Sequence, residues 1–562
     1  MKRNIIIFAI LSVSMLMTGC IKETLPQGSA QTQAQVDNSD YKISGFINAI
    51  PGSMMMVNAA GYSAKYGLQY DFGIPAIHLM TEAMLEDLAV CGEAGYFPFY
   101  YFALNRYMDD RYTFCGYFWD AYYGWIRNCN DAIKAIAGAE NPDDYATDLG
   151  GVYAYRAMCY LDLARLFEPK KNRYIDIPAE IENLTVPIVD ENTTLAMAQN
   201  NPRVPRQEMY NFILNDLKNA EALLADKPFV YSEPTLAAVY GLYARTYLEM
   251  GYWTEGGDEK MFKNAADYAR KAIEASGCTP LTQAQWEDSS NGFNNGAMNN
   301  AWIWGLKLSS DNTNNLGNFT AMFSSEALWG YPQLYNPCIS VRLYEQISGL
   351  DFRKYSWIDP AAFDMSTGLY NPSQTVYDYK FAGSTQEQKI FLHGSQTVNP
   401  VIPYQSIKFR PAGGKSMDDV NGGCADHPIM RVEEMHFIEM EAKAQMGEIE
   451  NAKRLLEDFM DTRIINGYYS CTAGSKSEFI NEMFFQKRVE FWGEGVLFYD
   501  YKRLDKGITR QYEGTNHPSV WAFNSKGRSP QWNIVITRLE YQNNEAITTQ
   551  LNNPDPSGAL QD

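Results

Sequence analysis

The sequence lacks the usual signatures of catalysis and of metal binding. Only 5 of its 562 residues are histidine, and no two are spaced as His-x-x-x-His or His-Glu-x-x-His. Its 9 cysteines include no Cys-x-x-Cys pair, so the spacing of a zinc site is absent. No nucleophile elbow, phosphate-binding loop or dinucleotide glycine pattern is present. We therefore expect no enzyme activity, no cofactor and no zinc.

A basic cluster is also missing. The chain has 67 acidic residues against 47 Lys and Arg, which gives a formal net charge of −20. Nucleic-acid phosphates and anionic membrane surfaces both attract positive patches, so this balance argues against either partner. No long apolar run follows residues 5–16. The sequence therefore predicts no membrane-spanning helix in the mature protein.

The N-terminus has the pattern of a lipoprotein signal. Lys2 and Arg3 precede the apolar run 5–16, which is shorter than the ~20 residues needed to span a bilayer. The following Met-Thr-Gly-Cys, which ends at Cys20, resembles a bacterial lipobox. We interpret residues 1–19 as a cleaved signal peptide and Cys20 as the lipidated first residue of the mature chain. The alternative is an ordinary signal peptide followed by an unrelated cysteine.

A tether is predicted after the lipid. Residues 24–40 contain almost no large apolar side chains, which is typical of a flexible linker. We therefore assign residues 20–40 to the lipidated cysteine and its tether. Lys22 and Glu23 resemble the short signal that exports lipoproteins to the cell surface. The expected location is the outer membrane, facing outwards and held by lipid alone.

Apolar residues at helical spacing predict a mainly α fold. Stripes occur at 118–136, 152–166 and 210–224, and a helix follows Pro75. The segments 235–250 and 260–275 form a helical pair, as do 429–446 and 449–464, and another helix is expected at 476–492. Small residues within these pairs resemble tetratricopeptide repeats. We expect about four such pairs, which build a scaffold.

Between the helices lies a region rich in Asn, Gly, Pro, Tyr and Trp. It spans 279–427 and is predicted to be a loop-rich lobe with short strands, one of them at 301–308. The flanking parts are an N-terminal helical scaffold at 41–278 and a C-terminal helical part at 428–562 that packs back on it. Residues 288–300 contain enough oxygen ligands for a structural calcium ion. Asn-Gly loops without metal have the same composition.

Four segments in order resemble the SusD/RagB family of outer-membrane nutrient-binding lipoproteins. They are 203–220, 301–308, 338–353 with its Asp-Phe-Arg ending, and 488–503 with its Glu-Gly…Asp…Arg pattern. The resemblance implies a lipoprotein that binds an oligosaccharide or polysaccharide and passes it to a SusC-like TonB-dependent transporter. An oligopeptide is the alternative cargo. A protein-interaction scaffold without a small ligand and a lipid-anchored hydrolase are the rival functions.

The C-terminal charges in the last of these segments alternate in sign. We interpret them as a structural ion-pair network rather than as a general acid and base; they are Arg488, Glu490, Glu494, Asp500 and Arg503. The eight cysteines beyond Cys20 are expected to be mostly buried thiols, with one or two disulfides left open.

Family members place the ligand between an early loop and the loop lobe, so two aromatic segments are candidates for the site. Flat rings stack on the apolar faces of sugars, and amides and carboxylates bind their hydroxyls. Core packing is the competing explanation for each ring. The predicted ligand-binding residues are Asp87, Tyr96, Phe97, Tyr100, Asp311, Asn312, Asn314, Phe319, Trp329 and Tyr331.

Overall fold

The computed structural model describes residues 42–56, 70–92, 94–106, 108–288, 290, 293–310, 316–364, 369–370, 402–557 and 559. Its α-helices are α1 Lys42–Ser53, α2 Ile74–Ala83, α3 Tyr100–Leu104, α4 Thr113–Ala137, α5 Ala146–Phe167, α6 Leu195–Ala198, α7 Arg206–Leu223, α8 Leu236–Gly251, α9 Glu259–Ser276, α10 Gln283–Glu287, α11 Phe319–Phe323, α12 Pro332–Tyr335, α13 Val341–Tyr344, α14 Asp419–Gly422, α15 Val432–Gln445, α16 Ile449–Asp461, α17 Lys476–Glu490, α18 Leu497–Arg503 and α19 Arg538–Asn543. Its strands are β1 Leu88–Val90, β2 Trp302–Leu306, β3 Pro337–Ile339, β4 Phe363–Asp364, β5 Leu369–Tyr370, β6 His427–Arg431, β7 Ile508–Thr509 and β8 Asn524–Ser525.

The long helices pack side by side as an array. α1 packs on α4, α4 on α5, α5 on α7, α7 on α8, α8 on α9, α9 on α15, and α15 on both α16 and α17. The mainly helical fold class predicted from periodicity is confirmed. Each helix buries its apolar stripe against neighbours on both sides, so the array has one continuous core.

Small residues let neighbouring helices approach closely. Ala244 in α8 and Ala265, Ala269 and Ala272 in α9 are fully buried where these two helices meet. A Cβ atom added to Gly150 in α5 would lie 2.8 Å from the side chain of Leu224 beyond α7. The pairing of the predicted helices therefore depends on side-chain size as much as on periodicity.

Charged pairs also fix the array. Arg156 in α5 donates two hydrogen bonds to Asp216 in α7, each of 2.8 Å, and both side chains are buried. The Arg245 guanidinium in α8 bonds the Glu434 carboxylate in α15 at 2.6 and 2.7 Å. Such bidentate pairs set the relative orientation of the two helices.

The strands form two-stranded antiparallel ladders: β1 with β3, β2 with β6, β4 with β5 and β7 with β8. Trp302 and Trp304 in β2 are buried, as expected for this strand. The helix predicted to start at residue 429 starts at Val432, because residues 427–431 pair with β2 instead. The helix after Pro75 ends at Ala83, and Leu88 belongs to β1 rather than to that helix.

A buried cluster of charges joins the loop lobe to the C-terminal helices. The Glu490 carboxylate, at the end of α17, accepts hydrogen bonds from Arg353 at 3.0 Å, Arg463 at 3.0 Å and Arg431 at 3.3 Å. Glu494 pairs with Arg431 and with Lys408, each at 2.8 Å. All of these side chains are buried. We call these six residues the Glu490 cluster.

The Glu490 cluster confirms the predicted structural role of the C-terminal charges. Burial opposes ionisation of Glu490, yet the guanidiniums of Arg463, Arg431 and Arg353 hold its pKa well below the ordinary range. The sign alternation in the sequence is a poor guide to the partners, however. Among the five predicted charges, only Asp500 and Arg503 pair with each other, at 2.6 Å.

The eight cysteines within the described residues are all reduced, and six of them are buried. No disulfide is therefore present in that part of the chain. Within the same residues no helix is both long and apolar enough to cross a bilayer. Cys20, the signal peptide and the tether lie outside the described residues, and the part boundaries at 279 and 428 stay predictions.

We predict that Glu490→Gln destabilises the fold strongly. The change removes a negative charge that three buried guanidiniums share, and leaves Asp351, Glu433 and Glu494 to balance them. Removing one partner of a buried ion pair costs about 3–5 kcal/mol. Urea denaturation followed by tryptophan fluorescence measures this loss. The matched control is Asp458→Asn, because Asp458 and its partner Arg454 are 64% and 65% exposed. That pair should contribute no more than about 0.5 kcal/mol. An equally small effect for Glu490→Gln would contradict the importance of the cluster.

A second prediction concerns Glu82 in α2, which is completely buried. Burial raises the pKa of Glu82 to about 8, from 4.5. The unfolded chain releases this proton near pH 4.5 and the folded chain near pH 8, so the stability falls as pH rises between these values. The whole loss amounts to about 5 kcal/mol.

Glu82→Gln should abolish this loss. Below pH 4.5, the free energy of unfolding should change with pH in the same way in the variant and the wild type. Between pH 4.5 and about pH 8, the wild type should lose more stability than the variant. Unfolding free energies from urea titrations across this range provide the test. Glu450→Gln is the control, since that carboxylate is 87% exposed. Parallel pH profiles for Glu82→Gln and wild type would show that Glu82 ionises normally.

Candidate functional site

The two aromatic segments predicted to bind ligand are neighbours in space. β1 and β3 pair with Leu88 opposite Ile339 and Val90 opposite Pro337. Beyond the strands, the Cys91 N–H donates to the Asn336 carbonyl at 3.2 Å. The ladder therefore brings the chain after β1 next to the chain before β3. The predicted segments are 87–106 and 309–335, and the parts that carry the rings described below are 94–104 and 319–335.

A glycine is required where the segments cross. The Gly92 N–H donates to the Tyr335 carbonyl at 3.0 Å. A Cβ atom at this position would lie 2.4 Å from the Leu334 carbonyl oxygen. Any other residue at position 92 would push the two backbones apart. The close approach of the two segments therefore depends on the glycine at position 92.

A chain of rings runs along the junction. The Phe97 ring lies 5.0 Å from the Tyr335 ring and 6.1 Å from the Trp521 ring, and the Tyr100 ring lies 5.5 Å from Trp521, all measured between centroids. Further along, Tyr101 packs on Phe114 at 5.3 Å. The buried members form a hydrophobic floor, and the tyrosines at its edge reach the surface.

Four of the predicted ligand residues in these two segments reach the surface. Tyr96 is 56% exposed, and Tyr100, Trp329 and Tyr331 are half-buried. Tyr101 belongs to the same predicted segment, is 47% exposed and lies beside Tyr100, with their rings 5.5 Å apart. We call these five residues the aromatic surface. Asp311, Asn312 and Asn314 lie outside the described residues.

Phe97 and Phe319 are buried, at 3% and 6% exposure, so they support the surface from below rather than contact a ligand. Phe319 packs on the His427 ring with 4.9 Å between centroids. His427 in turn shares a hydrogen bond with His78, with 2.8 Å between Nε2 and Nδ1. Burial lowers the pKa of His78 to about 4, so this pair is neutral and structural.

The position of Asp87 corrects its predicted role. Its side chain is fully buried, and its Oδ2 accepts a hydrogen bond from the Arg488 Nε at 2.8 Å. The Tyr501 hydroxyl donates to the same oxygen at 3.2 Å. A buried carboxylate needs such partners, and here they leave no side to a ligand. Asp87 positions the start of β1 instead.

Residues 411–424, a loop that includes the short helix α14, lie against Trp329. The Leu328 N–H donates to the Ser416 carbonyl at 3.1 Å. A Cβ atom on Gly422 would lie 2.7 Å from the Trp329 ring. Met417 and Val420, which are 72% and 53% exposed, add apolar area on the same loop. A run of Gly, Asp and Asn usually predicts a solvated turn, so no sequence pattern indicates this contact.

The chemistry of the aromatic surface is that of non-covalent binding. Tyrosine offers an apolar ring face and a polar hydroxyl, which suits a ligand that is wet on one side. Within the described residues, no three His, Cys, Asp or Glu side chains group closely enough to hold a metal ion. The predicted calcium segment 288–300 is only partly described.

Comparison with known proteins identifies the family. One family model, described as starch-binding and associating with the outer membrane, matches residues 76–248. A second, the SusD family model, matches residues 343–560. Together they match more than half of the chain. They include two of the segments that carry the resemblance and most of a third, 338–353.

A curated relative is SusD-like protein P2 of Formosa agariphila, which is 27% identical over 185 residues. The aligned part spans 33% of this chain and 34% of the relative, so the chain matches only about a third of that protein's length.

Solved structures share the fold over most of the chain. A SusD-like carbohydrate binding protein from Bacteroides vulgatus superimposes with a TM-score of 0.66 at 19% identity, covering 90% of this chain and 97% of that one. Surface glycan-binding protein A from Bacteroides thetaiotaomicron, solved in complex with laminarihexaose, gives 0.61 at 16% identity, covering 92% and 99%. The family models, the curated relative and the shared fold agree, and the chain belongs to the SusD/RagB family.

Proposed function

We propose that the protein is a cell-surface lipoprotein that binds an oligosaccharide or polysaccharide nutrient and delivers it to a SusC-like TonB-dependent transporter. The observation that carries the proposal is the aromatic surface, at the junction of two segments in a chain of this family. The protein performs no chemical step in this function. It holds the cargo until the transporter takes it.

The aromatic surface suits a sugar better than it suits an apolar ligand that must be buried in a deep pocket. Sugar rings present C–H faces that stack on Tyr and Trp, while their hydroxyls bond to water and to polar side chains at the rim. The surface is open, so each contact stabilises the complex modestly and the affinity depends on several rings acting together. Extended ligands with repeated units suit such a surface.

A related fold with a glycan supports this choice of cargo. Surface glycan-binding protein A, which shares the fold, is solved with laminarihexaose. An oligopeptide is the alternative cargo and would use the same rings for apolar side chains. Titration with glycans and with peptides separates the two. Turnover of a glycan by the purified protein would instead support a hydrolase.

The lipid anchor is the second part of the proposal. The lipobox-like sequence before Cys20 supports attachment to the outer membrane, and the acidic net charge supports the lipid as the anchor rather than electrostatic adsorption. Delivery to a membrane transporter requires such proximity, because an anchored protein stays within reach of a partner in the same membrane.

Substitution of the surface rings tests the binding proposal. We expect Trp329→Ala and Tyr331→Ala each to weaken binding of the tightest hexasaccharide in a panel by about three- to tenfold, the scale of one aromatic contact. Isothermal titration calorimetry with laminarihexaose, maltohexaose and other hexasaccharides measures this change. Tyr468→Ala is the control, because Tyr468 is 93% exposed in the loop between α16 and α17. Unchanged affinity in both ring variants would refute this assignment of the site.

Replacement of the lipidated residue tests the anchor. We expect Cys20→Ser to abolish incorporation of radiolabelled palmitate and to release the protein from the outer-membrane fraction. Cys424→Ser is the matched control, since Cys424 is a half-buried thiol of the folded body. Its labelling and membrane association should equal those of the wild type. Palmitate incorporation in Cys20→Ser would show that the lipid is attached elsewhere.

A further inference from the structure

A polar pocket lies in the loop lobe, and the proposed function does not use it. Its volume is about 220 Å³. Its walls come from the chain before α8, from described residues between 288 and 297, from the chain just after β2, and from the segment 411–424. Tyr231, Asn295 and Asp426 line it. These residues are not part of the aromatic surface.

Asp426 is held ready to accept hydrogen bonds. Its Oδ2 accepts from the Tyr231 hydroxyl at 2.9 Å, and its Oδ1 accepts from the Leu308 N–H at 3.2 Å. A carboxylate oxygen can accept two hydrogen bonds, so each Asp426 oxygen, with one bond made, keeps a lone pair for a ligand. The two donors fix the carboxylate in one orientation, which lowers the entropy cost of binding.

The Tyr231 ring forms a rigid wall of the pocket. It packs edge-on against Trp302, with 6.1 Å between ring centroids. A Cβ atom on Gly296 would lie 2.5 Å from the Tyr231 ring, so the ring needs a glycine there. Tyr231 is half-buried, and its backbone carbonyl accepts from the Gly305 N–H at 2.8 Å. An apolar face thus stands next to the acidic acceptor.

The charges around the pocket favour a neutral polar ligand. Asp288 and Asp426 line it together with Lys307 and Arg410, so groups of both signs are present. The Arg410 guanidinium also pairs with the Glu326 carboxylate at 3.4 Å. Lys307 and Arg410 oppose a metal cation, and the two carboxylates oppose a phosphate or sulfate. Asn295 adds an amide that both donates and accepts. A ring that carries several hydroxyls can form hydrogen bonds with all of these groups.

We propose that this pocket binds a single sugar unit of the glycan, with its hydroxyls on Asp426 and Asn295 and its apolar face towards Tyr231. The inference rests on the proposed function and deepens it. The pocket's size suits one sugar ring rather than a polymer, so it would select a branch or a chain end. The segment 411–424 borders both the pocket and Trp329, so one segment contacts both binding features.

Pocket variants test the inference by calorimetry with the tightest hexasaccharide found for the wild type. We expect Asn295→Ala and Asp426→Asn each to weaken binding by about five- to tenfold, the effect of one lost hydrogen bond. Met298→Ala is the matched control on the same loop, because Met298 is 58% exposed and does not line the pocket. Circular dichroism melting checks that each variant folds.

Cys424 provides an independent readout, because this half-buried thiol lines the pocket. Saturating hexasaccharide should slow its alkylation by iodoacetamide at least about fivefold, in proportion to pocket occupancy. Pocket variants that bind within twofold of wild type, with Trp329→Ala still weakened, would overturn the pocket and leave the proposed function intact. A wild-type protein that binds no saccharide would overturn both.

Discussion

The buried charges around Glu490 are the constraint on which the structure depends. Glu490 ends α17, Arg431 ends β6, Arg463 follows α16, and Arg353 and Lys408 belong to the loop lobe. A buried ion is tolerated only when its partners surround it, so each of these segments must arrive at one point. The Glu490 cluster therefore joins three distant parts of the chain more specifically than apolar packing does.

The residues next to Glu490 connect the Glu490 cluster to the strand that supports the aromatic surface. Two residues after Glu490, the Trp492 indole N–H donates to the Asp87 carbonyl at 2.9 Å, and its ring stacks on Phe323 in α11 at 5.3 Å. Arg488 binds the Asp87 side chain. Asp87 leads into β1, and β1 leads into the exposed tyrosines. The surface is therefore built on a rigid support, and a ligand that binds there needs to order few side chains.

Sequence periodicity predicted the helical array well and the site only in part. The stripes at 118–136 and 152–166 lie within α4 and α5, because long amphipathic segments leave little choice of structure. The prediction of a helix at 429–431 is wrong, because pairing with β2 decides the conformation of these residues. A short apolar run before a helix has no periodicity of its own that could reveal this. The sequence predicts a ligand-binding role for Asp87 because it stands in an aromatic segment, whereas its partner Arg488 lies 401 residues away in sequence. No local pattern can reveal such a pair.

The aromatic surface and the polar pocket differ in the kind of selectivity that they can provide. Open rings bind any sugar that offers a flat apolar face, so they discriminate weakly between glycans. A pocket with a fixed carboxylate and an amide penalises a ligand whose hydroxyls are misplaced, because buried polar groups then lose their partners. Trp329 and the pocket both contact the loop 411–424, so the two features share one structural element. General affinity would then come from the rings, and the choice among glycans from Asp426 and its neighbours.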